Sequence, residues 1–213
     1  TAALGAGGYD ATSPGVTAIN ESWNGSAWTE VGNLNSARYD GTAAGTSTAG
    51  LVTGNADPYS GNTETWNGSS WTEVADLNTA RGYIAKDGIG TQTAALAAGG
   101  YSPANKDEVE SWNGSAWTEV GDLNVAKRAL GGCGIQTSAI VFGGYTTTEL
   151  ATTESWNGSS WTEIGDLGTA RRFVTGTGTS IVALTAGGRV GTTAQTLSEE
   201  WTVPFVTKTI GTD

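Results

Sequence analysis

The chain has 213 residues, of which 33 are glycine and nine are tryptophan, while histidine and methionine are absent. Ten basic and 21 acidic residues give a formal net charge of −11, which argues against nucleic acid as a partner because such partners bind basic surfaces. Without histidine there is no Ser-His-Asp triad, His-based metal centre or imidazole acid–base catalyst. No apolar run reaches the ~20 residues of a membrane-spanning helix, so membrane insertion is not expected.

A tryptophan-containing unit recurs along the whole chain. The first tryptophans of the units lie 43 to 46 residues apart, at Trp23, Trp66, Trp112, Trp156 and Trp201. A period in the mid-forties, with short strands and glycine-rich turns, is typical of the blades of a β-propeller. We therefore predict a single all-β domain of five blades over residues 1–213.

Each unit contains four segments that read as strands, in the same order. The first is a segment such as ARRFVTGTGT (170–179), and the second is an apolar run ending in glycines, such as AALAAGG (94–100). The third is ESWN and the fourth is WTEV. All are short, rich in Val, Ile, Thr and aromatic residues, and bounded by Gly, Asn or Asp, which predicts four-stranded antiparallel blades.

The stretch ESWNGSAWTEV (21–31) returns almost unchanged in the next three units. Asn24-Gly25 predicts a hairpin with a two-residue turn, which places Trp23 and Trp28 diagonally on one face. Large buried aromatic rings stabilise a core strongly, so we expect each pair to pack against the neighbouring blade. The residues given this structural role are Trp23, Trp28, Trp66, Trp71, Trp112, Trp117, Trp156 and Trp161.

The repeat resembles the kelch repeat, which has a glycine doublet, two spaced aromatic residues and then an arginine after a turn. The doublets begin at Gly7, Gly99, Gly143 and Gly187, and the second unit departs from this pattern with Gly54-Asn55. A basic residue lies ten positions after the second tryptophan, at Arg38, Arg81, Lys127 and Arg171. The resemblance implies a kelch-like five-bladed propeller. The exact amino-acid sequence of the repeat also resembles kelch arrays of bacteriophage and marine metagenomic proteins.

The strand count predicts that one blade is incomplete. The segment FVTKTIGTD (205–213) is either the innermost strand of the first blade or the outermost strand of the last. The short link after Trp201, which spans ~10 Å at most, favours the outer position. The chain also begins in mid-pattern, as a processed form or a fragment would. The first blade then leaves room for a strand from upstream sequence or another chain.

The repeated charged residues are expected to serve the scaffold. The glutamate before each first tryptophan recurs in every unit, and a residue repeated in every blade usually has a structural role. The same argument makes Arg38, Arg81 and Arg171 structural residues that bond to neighbouring loops. We predict no metal site, no cofactor and no enzymatic activity, and we expect the single cysteine, Cys133, to be a small buried residue.

The loops between the glycine doublets and the ESW segments vary in length and composition, and variable loops carry function on a constant scaffold. The alternation of strand direction opens all five on the same face. Tyrosine and arginine are enriched in binding sites, so these loops supply the candidate ligand-binding residues. They are Tyr9, Tyr59, Tyr101, Tyr145 and Arg189.

These features favour a non-catalytic binding or structural module of a phage virion or a secreted assembly, in an extracellular or virion-associated location. Its partner would be a protein or a cell-surface glycan. The alternative is a carbohydrate-binding lectin with one sugar pocket at each gap between blades. A lectin of this kind would expose one tryptophan ring per blade, whereas a structural module would bury every pair.

Overall fold

The computed structural model describes residues 2–10 and 15–203, and these form five small antiparallel sheets arranged as a five-bladed β-propeller. This confirms the predicted fold class. All regular structure in the described ranges is β-strand, and they contain no helix that is long and apolar enough to span a membrane. Short strands separated by glycine, asparagine and aspartate residues account for this architecture, because each such cluster ends one strand and turns the chain.

The three middle sheets have four strands each, in chain order from the innermost to the outermost. The second sheet contains β4 (Thr42–Thr46), β5 (Ala49–Ala56), β6 (Tyr59–Trp66) and β7 (Trp71–Val74). The third contains β8 (Ile89–Thr91), β9 (Ala94–Tyr101), β10 (Asn105–Trp112) and β11 (Trp117–Glu119). The fourth contains β12 (Gly131–Ile135), β13 (Ser138–Phe142), β14 (Thr153–Trp156) and β15 (Trp161–Ile164).

The first and last sheets have three strands each within the described part of the chain. The first contains β1 (Ala3–Asp10), β2 (Gly15–Trp23) and β3 (Trp28–Val31), and no described strand pairs with the inner edge of β1, in line with the predicted incomplete blade. The last contains β16 (Thr175–Gly178), β17 (Val182–Ala186) and β20 (Ser198–Thr202). Between the last two lies an unpredicted hairpin of β18 (Arg189–Val190) and β19 (Thr193–Ala194). Residues 205–213 lie outside the described residues, so neither placement of that segment is tested.

The core is divided into clusters that each join two neighbouring sheets. In every cluster, the tryptophans of one sheet pack against apolar residues of the preceding sheet. Trp112 and Trp117, for example, pack with Leu51 of the second sheet and with Leu77 and Ile84 of the loop that follows it. Fully buried tryptophans remove a large apolar area from water, so the pairs hold the sheets to one another.

The hairpin turns differ from the prediction. Trp23 lies directly opposite Trp28, so the loop has four residues, Asn24 to Ala27, instead of two. The Asn24 side-chain oxygen accepts hydrogen bonds from the backbone N–H groups of Ser26 and Ala27, at 2.9 and 3.0 Å. This side-chain bond stabilises the longer loop, because asparagine mimics a backbone turn. The paired rings are 5.6 Å apart between centroids.

The glycine doublets allow a loop to approach a strand closely. Gly99 has φ of 63°, and a Cβ atom there would lie 2.7 Å from the carbonyl oxygen of Lys127. That oxygen accepts a hydrogen bond from the N–H of Gly100 at 2.9 Å. Only glycine fits both the left-handed conformation and the short distance. The doublet therefore fixes the position of the loop that follows each blade.

Candidate functional site

In the third, fourth and fifth sheets, the residue after the glycine doublet pairs with the residue that follows the repeat's basic position in the preceding loop. Tyr101 pairs with Gly82, Tyr145 with Arg128, and Arg189 with Arg172, each as an antiparallel bridge. Two backbone hydrogen bonds of 2.8 and 3.1 Å join Tyr145 and Arg128. This pairing brings residues from variable positions of different blades together at one mouth of the ring.

A series of strained residues supports the mouth. Asp40, Tyr83, Ala129 and Phe173 occupy equivalent positions before four innermost strands, and all have φ between 50° and 55°. The N–H of each of the last three donates to the carbonyl of the one before it, at 2.6 to 2.8 Å. A left-handed conformation is unfavourable for non-glycine residues, so it persists only where surrounding contacts impose it. These hydrogen bonds hold adjacent side chains in fixed positions.

Aromatic rings and cations alternate across the mouth. The Arg128 guanidinium lies 4.2 Å from the centroid of the Tyr101 ring and 5.0 Å from that of Tyr145. The Arg172 guanidinium lies 4.4 Å from the Tyr145 ring, and Phe173 lies within 5.8 Å of Arg172. These distances are within the range of cation–π attraction. We call the following residues the cation–aromatic ladder: Tyr101, Arg128, Tyr145, Arg172, Phe173 and Lys86, whose Nζ lies 5.0 Å from the Phe173 ring.

All six tyrosines of the chain belong to the same surface, which we call the tyrosine face: Tyr9, Tyr39, Tyr59, Tyr83, Tyr101 and Tyr145. The Tyr59 ring is 5.7 Å from the Tyr101 ring, and the Tyr83 ring is 6.2 Å from the Phe173 ring. The Tyr9 ring lies 5.6 Å from the Tyr39 ring, and Tyr39 lies close enough to Tyr83 to add to desolvation in raising the pKa of the Tyr83 phenol. The tyrosines therefore form one connected surface around the ladder.

An open cavity of about 300 Å³ lies within this surface. Its lining consists of Tyr59, Tyr83, Tyr101, Arg128, Ala129, Arg172 and Phe173. This volume is at the lower end for small-molecule clefts, and the mixture of ring faces with a few polar groups is typical of them. Desolvation raises the pKa of Tyr83 to about 12, with a further contribution from Tyr39. Desolvation also raises the pKa of Tyr59, so both phenols stay protonated at neutral pH.

The three cations of the ladder differ in their acidic partners. Lys86 Nζ lies 2.7 Å from Asp40 Oδ1, and Arg172 Nη1 lies 3.7 Å from Glu149 Oε1. Arg128 has no ion pair within the described ranges, and its Nη1 donates to the Asn105 side-chain oxygen at 3.0 Å. The Arg128 charge is therefore held in place by two rings and an amide, and no carboxylate of the described residues forms an ion pair with it.

Only some of the residues predicted to bind ligand lie in the cavity or the ladder. Tyr59 and Tyr101 line the cavity, Tyr145 lies in the ladder, and Tyr9 lies at the far end of the tyrosine face. Arg189 shares backbone hydrogen bonds with Arg172, but its exposed side chain donates to the Thr192 carbonyl at 3.4 Å. Within the described residues its guanidinium makes no ladder contact.

Sequence reasoning missed Arg128 and Arg172. Both directly follow the repeat's basic residue, at a position that varies from unit to unit as Tyr39, Gly82, Arg128 and Arg172. The sequence signal that could have identified these two arginines is that a variable position directly follows the basic residue that recurs in the repeats. The loops that contain them abut the doublet loops only in the folded ring, so the stacking partners are not visible in the sequence.

The repeated charged residues connect successive blades. Arg81 Nη1 lies 2.5 Å from Glu110 Oε1, and both side chains are buried. The other carboxylate oxygen of Glu110 accepts hydrogen bonds from the backbone and side-chain nitrogens of Asn78. Equivalent pairs join Arg38 to Glu64, Lys127 to Glu154 and Arg171 to Glu199. Each glutamate thus binds the loop of the preceding blade.

The tryptophan pairs of the second, third and fourth sheets are buried, at 6% exposure or less. Trp28 of the first sheet is 52% exposed, and Trp23 is partly buried. The described part of the chain therefore contains no repeated series of open tryptophan rings at the gaps between blades.

The remaining residues considered for reactivity or metal binding are the single cysteine and the acidic side chains. Cys133 lies in the core between the fourth and fifth sheets, and desolvation raises the pKa of its thiol to about 11. At neutral pH it is therefore the unreactive thiol. No group of three acidic or cysteine side chains suited to holding a metal ion occurs among residues 2–10 and 15–203.

Comparison with known proteins adds no family to this description. No protein-family model matches the chain, and a search of curated proteins also finds no match. The fold and the geometry of the tyrosine face are thus the basis for any functional conclusion.

Proposed function

We propose that the chain is a non-catalytic binding propeller of the kelch type, which holds a partner protein or a cell-surface ligand against its tyrosine face. In this proposal it serves a virion or a secreted assembly, outside the cell, as an attachment or structural module. The resemblance of the repeat sequence to kelch arrays of phage proteins supports this location.

The tyrosine face carries this proposal. The chain places every tyrosine on one face and packs most of its tryptophans between blades. Tyrosine and arginine are the residue types that dominate binding energy at interfaces, and rings fixed by stacking lose little entropy when a ligand binds. The strained loops beneath them supply further rigidity.

The burial of the tryptophans argues against the alternative of one sugar pocket at each gap between blades. A ring that packs against the neighbouring sheet cannot also stack on a sugar. Six of these tryptophans are at most 6% exposed, so a ligand would have to separate two blades to reach them. Carbohydrate binding therefore fits the tyrosine face better than the gaps.

A binding panel tests the proposal. The purified chain is applied to an array of glycans and bacterial-surface polysaccharides, beside a Tyr101→Ala/Tyr145→Ala double variant. The Trp28→Ala variant is the control, because it removes an exposed aromatic ring far from the tyrosine face. We expect binding by the chain and the control, and at least about a ten-fold loss in the double variant. Equal binding by all three folded proteins would contradict the proposal.

A further inference from the structure

The cation–aromatic ladder leaves one edge of a fixed guanidinium without a partner. Nη1 of Arg128 donates to Asn105, and among the described residues no group accepts a hydrogen bond from its Nε or Nη2. Arg128 is partly exposed and lines the open cavity, so this edge is within reach of a ligand there. The Arg128 guanidinium lies 4.2 Å from the Tyr101 ring centroid and 5.0 Å from that of Tyr145, so both rings restrain it. A ligand can therefore bind this side chain through its unpartnered edge.

From this geometry we propose that the tyrosine face binds an acidic sugar, whose carboxylate is held by Nε and Nη2 of Arg128. The inference rests on the proposed binding function and adds the chemical class of the ligand. The two N–H groups of one guanidinium edge are parallel and match the two oxygens of a carboxylate. Stacking on both rings fixes the plane before the ligand arrives, so little side-chain entropy is lost on binding.

The remainder of the cavity suits a sugar ring. The Tyr59, Tyr83 and Tyr101 side chains line the space next to Arg128 and provide ring faces and phenolic hydroxyls. Phenols that remain protonated can donate hydrogen bonds to sugar hydroxyls, and the raised pKa of Tyr83 maintains this ability far above neutral pH. A cavity of about 300 Å³ is large enough for a single sugar ring and too small to receive the surface of a folded protein.

Arg128 supplies a local positive charge although the whole chain is acidic. Among the described residues Lys86 pairs with Asp40 and Arg172 with Glu149, while Arg128 has no ion pair; the remaining acid near the cavity, Asp57, lies beside Tyr59 and, after desolvation, contributes to its raised pKa. The formal charge of −11 repels an anionic polymer at long range. Salt screens that repulsion over about 10 Å at 0.1 M, whereas the close guanidinium contact is screened less. Binding is therefore expected to tolerate physiological salt.

Calorimetric titration of the full chain with trigalacturonic acid tests the inference, and the trimethyl ester of the same sugar is the uncharged control. We expect saturable binding of the acid and binding of the ester weaker by about 10- to 100-fold, because a charged hydrogen-bonded pair contributes about 1.5–3 kcal/mol. Arg128→Gln should cause a loss of similar size, and Arg128→Lys a smaller one because it retains the charge without the fork.

Lys106→Gln is the control for the loss of one positive charge, because the partly exposed Lys106 pairs with Glu108 at 3.0 Å and belongs neither to the ladder nor to the cavity lining. Its affinity should equal that of the unmodified chain. Unfolding midpoints of all variants verify that the ladder substitutions leave the fold intact.

Each contrary result has a distinct meaning. Equal affinity for acid and ester, or an unchanged affinity in Arg128→Gln, would overturn the carboxylate assignment while the array result could still uphold the binding function. Competition by a hexaglutamate peptide as strong as that of the sugar would identify an acidic peptide instead. Displacement by millimolar inorganic phosphate would identify a phosphate site. No binding of the acidic sugar by the folded chain would refute the proposal outright.

Discussion

The middle of the ring and its two ends use the same repeat with different results. At the seam between the second and third sheets, Trp112 is completely buried and Glu110 pairs with Arg81. In the first sheet, the equivalent Glu21 is exposed and Trp28 is 52% exposed. The local sequence is almost identical. Burial of these residues is therefore a property of the neighbouring blade and not of the repeat itself.

Two structural features that continue from sheet to sheet in the middle of the ring stop at its ends. Among the described residues, a cavity of about 450 Å³ lies between β1 of the first sheet and β4 of the second. The hydrogen-bonded series from Asp40 to Phe173 has four members, and the described chain contains no fifth. On the last sheet, Val182 and Leu184 of β17 remain exposed. The repeat's stabilising contacts thus require a complete blade on each side.

Removal of a seam tryptophan should have the largest effect on stability. We expect Trp112→Ala to lower the free energy of unfolding by about 3–5 kcal/mol, because it leaves a cavity in the core. Trp28→Ala should change it by less than about 1 kcal/mol, since the ring is already half exposed. Urea denaturation gives both values, and Trp112→Phe provides a milder variant if the first does not fold. Equal losses at both positions would show that the end seam is as well packed as the middle one.

The buried charges should produce a loss of similar or slightly smaller size. Glu110→Gln leaves the Arg81 guanidinium buried without its counter-charge, which typically costs about 3–5 kcal/mol before the structure relaxes. Glu21→Gln removes an exposed carboxylate and should change stability by about 0.5 kcal/mol or less. The same denaturation experiment compares the two. A large loss in Glu21→Gln would mean that Glu21 has a buried partner at the end seam.

Much of this scaffold is predictable from the sequence because its signals are local or periodic. The spacing of Trp23, Trp66 and their equivalents predicts the five blades, whereas the glycine doublets mark strand ends only in part, since β1 and β9 continue through theirs to Asp10 and Tyr101. The direct pairing of Trp23 with Trp28 was not predicted, since the Asn24 side chain stabilises a four-residue loop where a two-residue turn was expected. Arg128 was also missed, because its stacking partners come from two loops that meet only in the folded ring.

The tyrosine face should respond to alkaline pH. The pKa of Tyr83 is about 12 in the folded chain, against about 10 for an exposed tyrosine. Because the folded pKa is raised, the contribution of Tyr83 to stability is complete below pH 10 and is lost as the pH rises from 10 to 12. Tyr83→Phe should reduce the slope of unfolding free energy against pH in this window. An unchanged slope would indicate that Tyr83 titrates as an exposed phenol does.

The hairpin turns should not distinguish the middle of the ring from its end. Asn113 and Asn24 accept nearly identical hydrogen bonds inside their own exposed hairpins, at 2.8 to 3.0 Å. Replacement of either by alanine should lower the unfolding free energy by about 1 kcal/mol, because each loses hydrogen bonds that no neighbouring blade affects. Equal values would separate the local energy of the turn from the energy of the seam. A clearly smaller loss for Asn24→Ala would instead mean that the first hairpin opens independently of the ring, and that its tryptophans lack a rigid base as well as a neighbour.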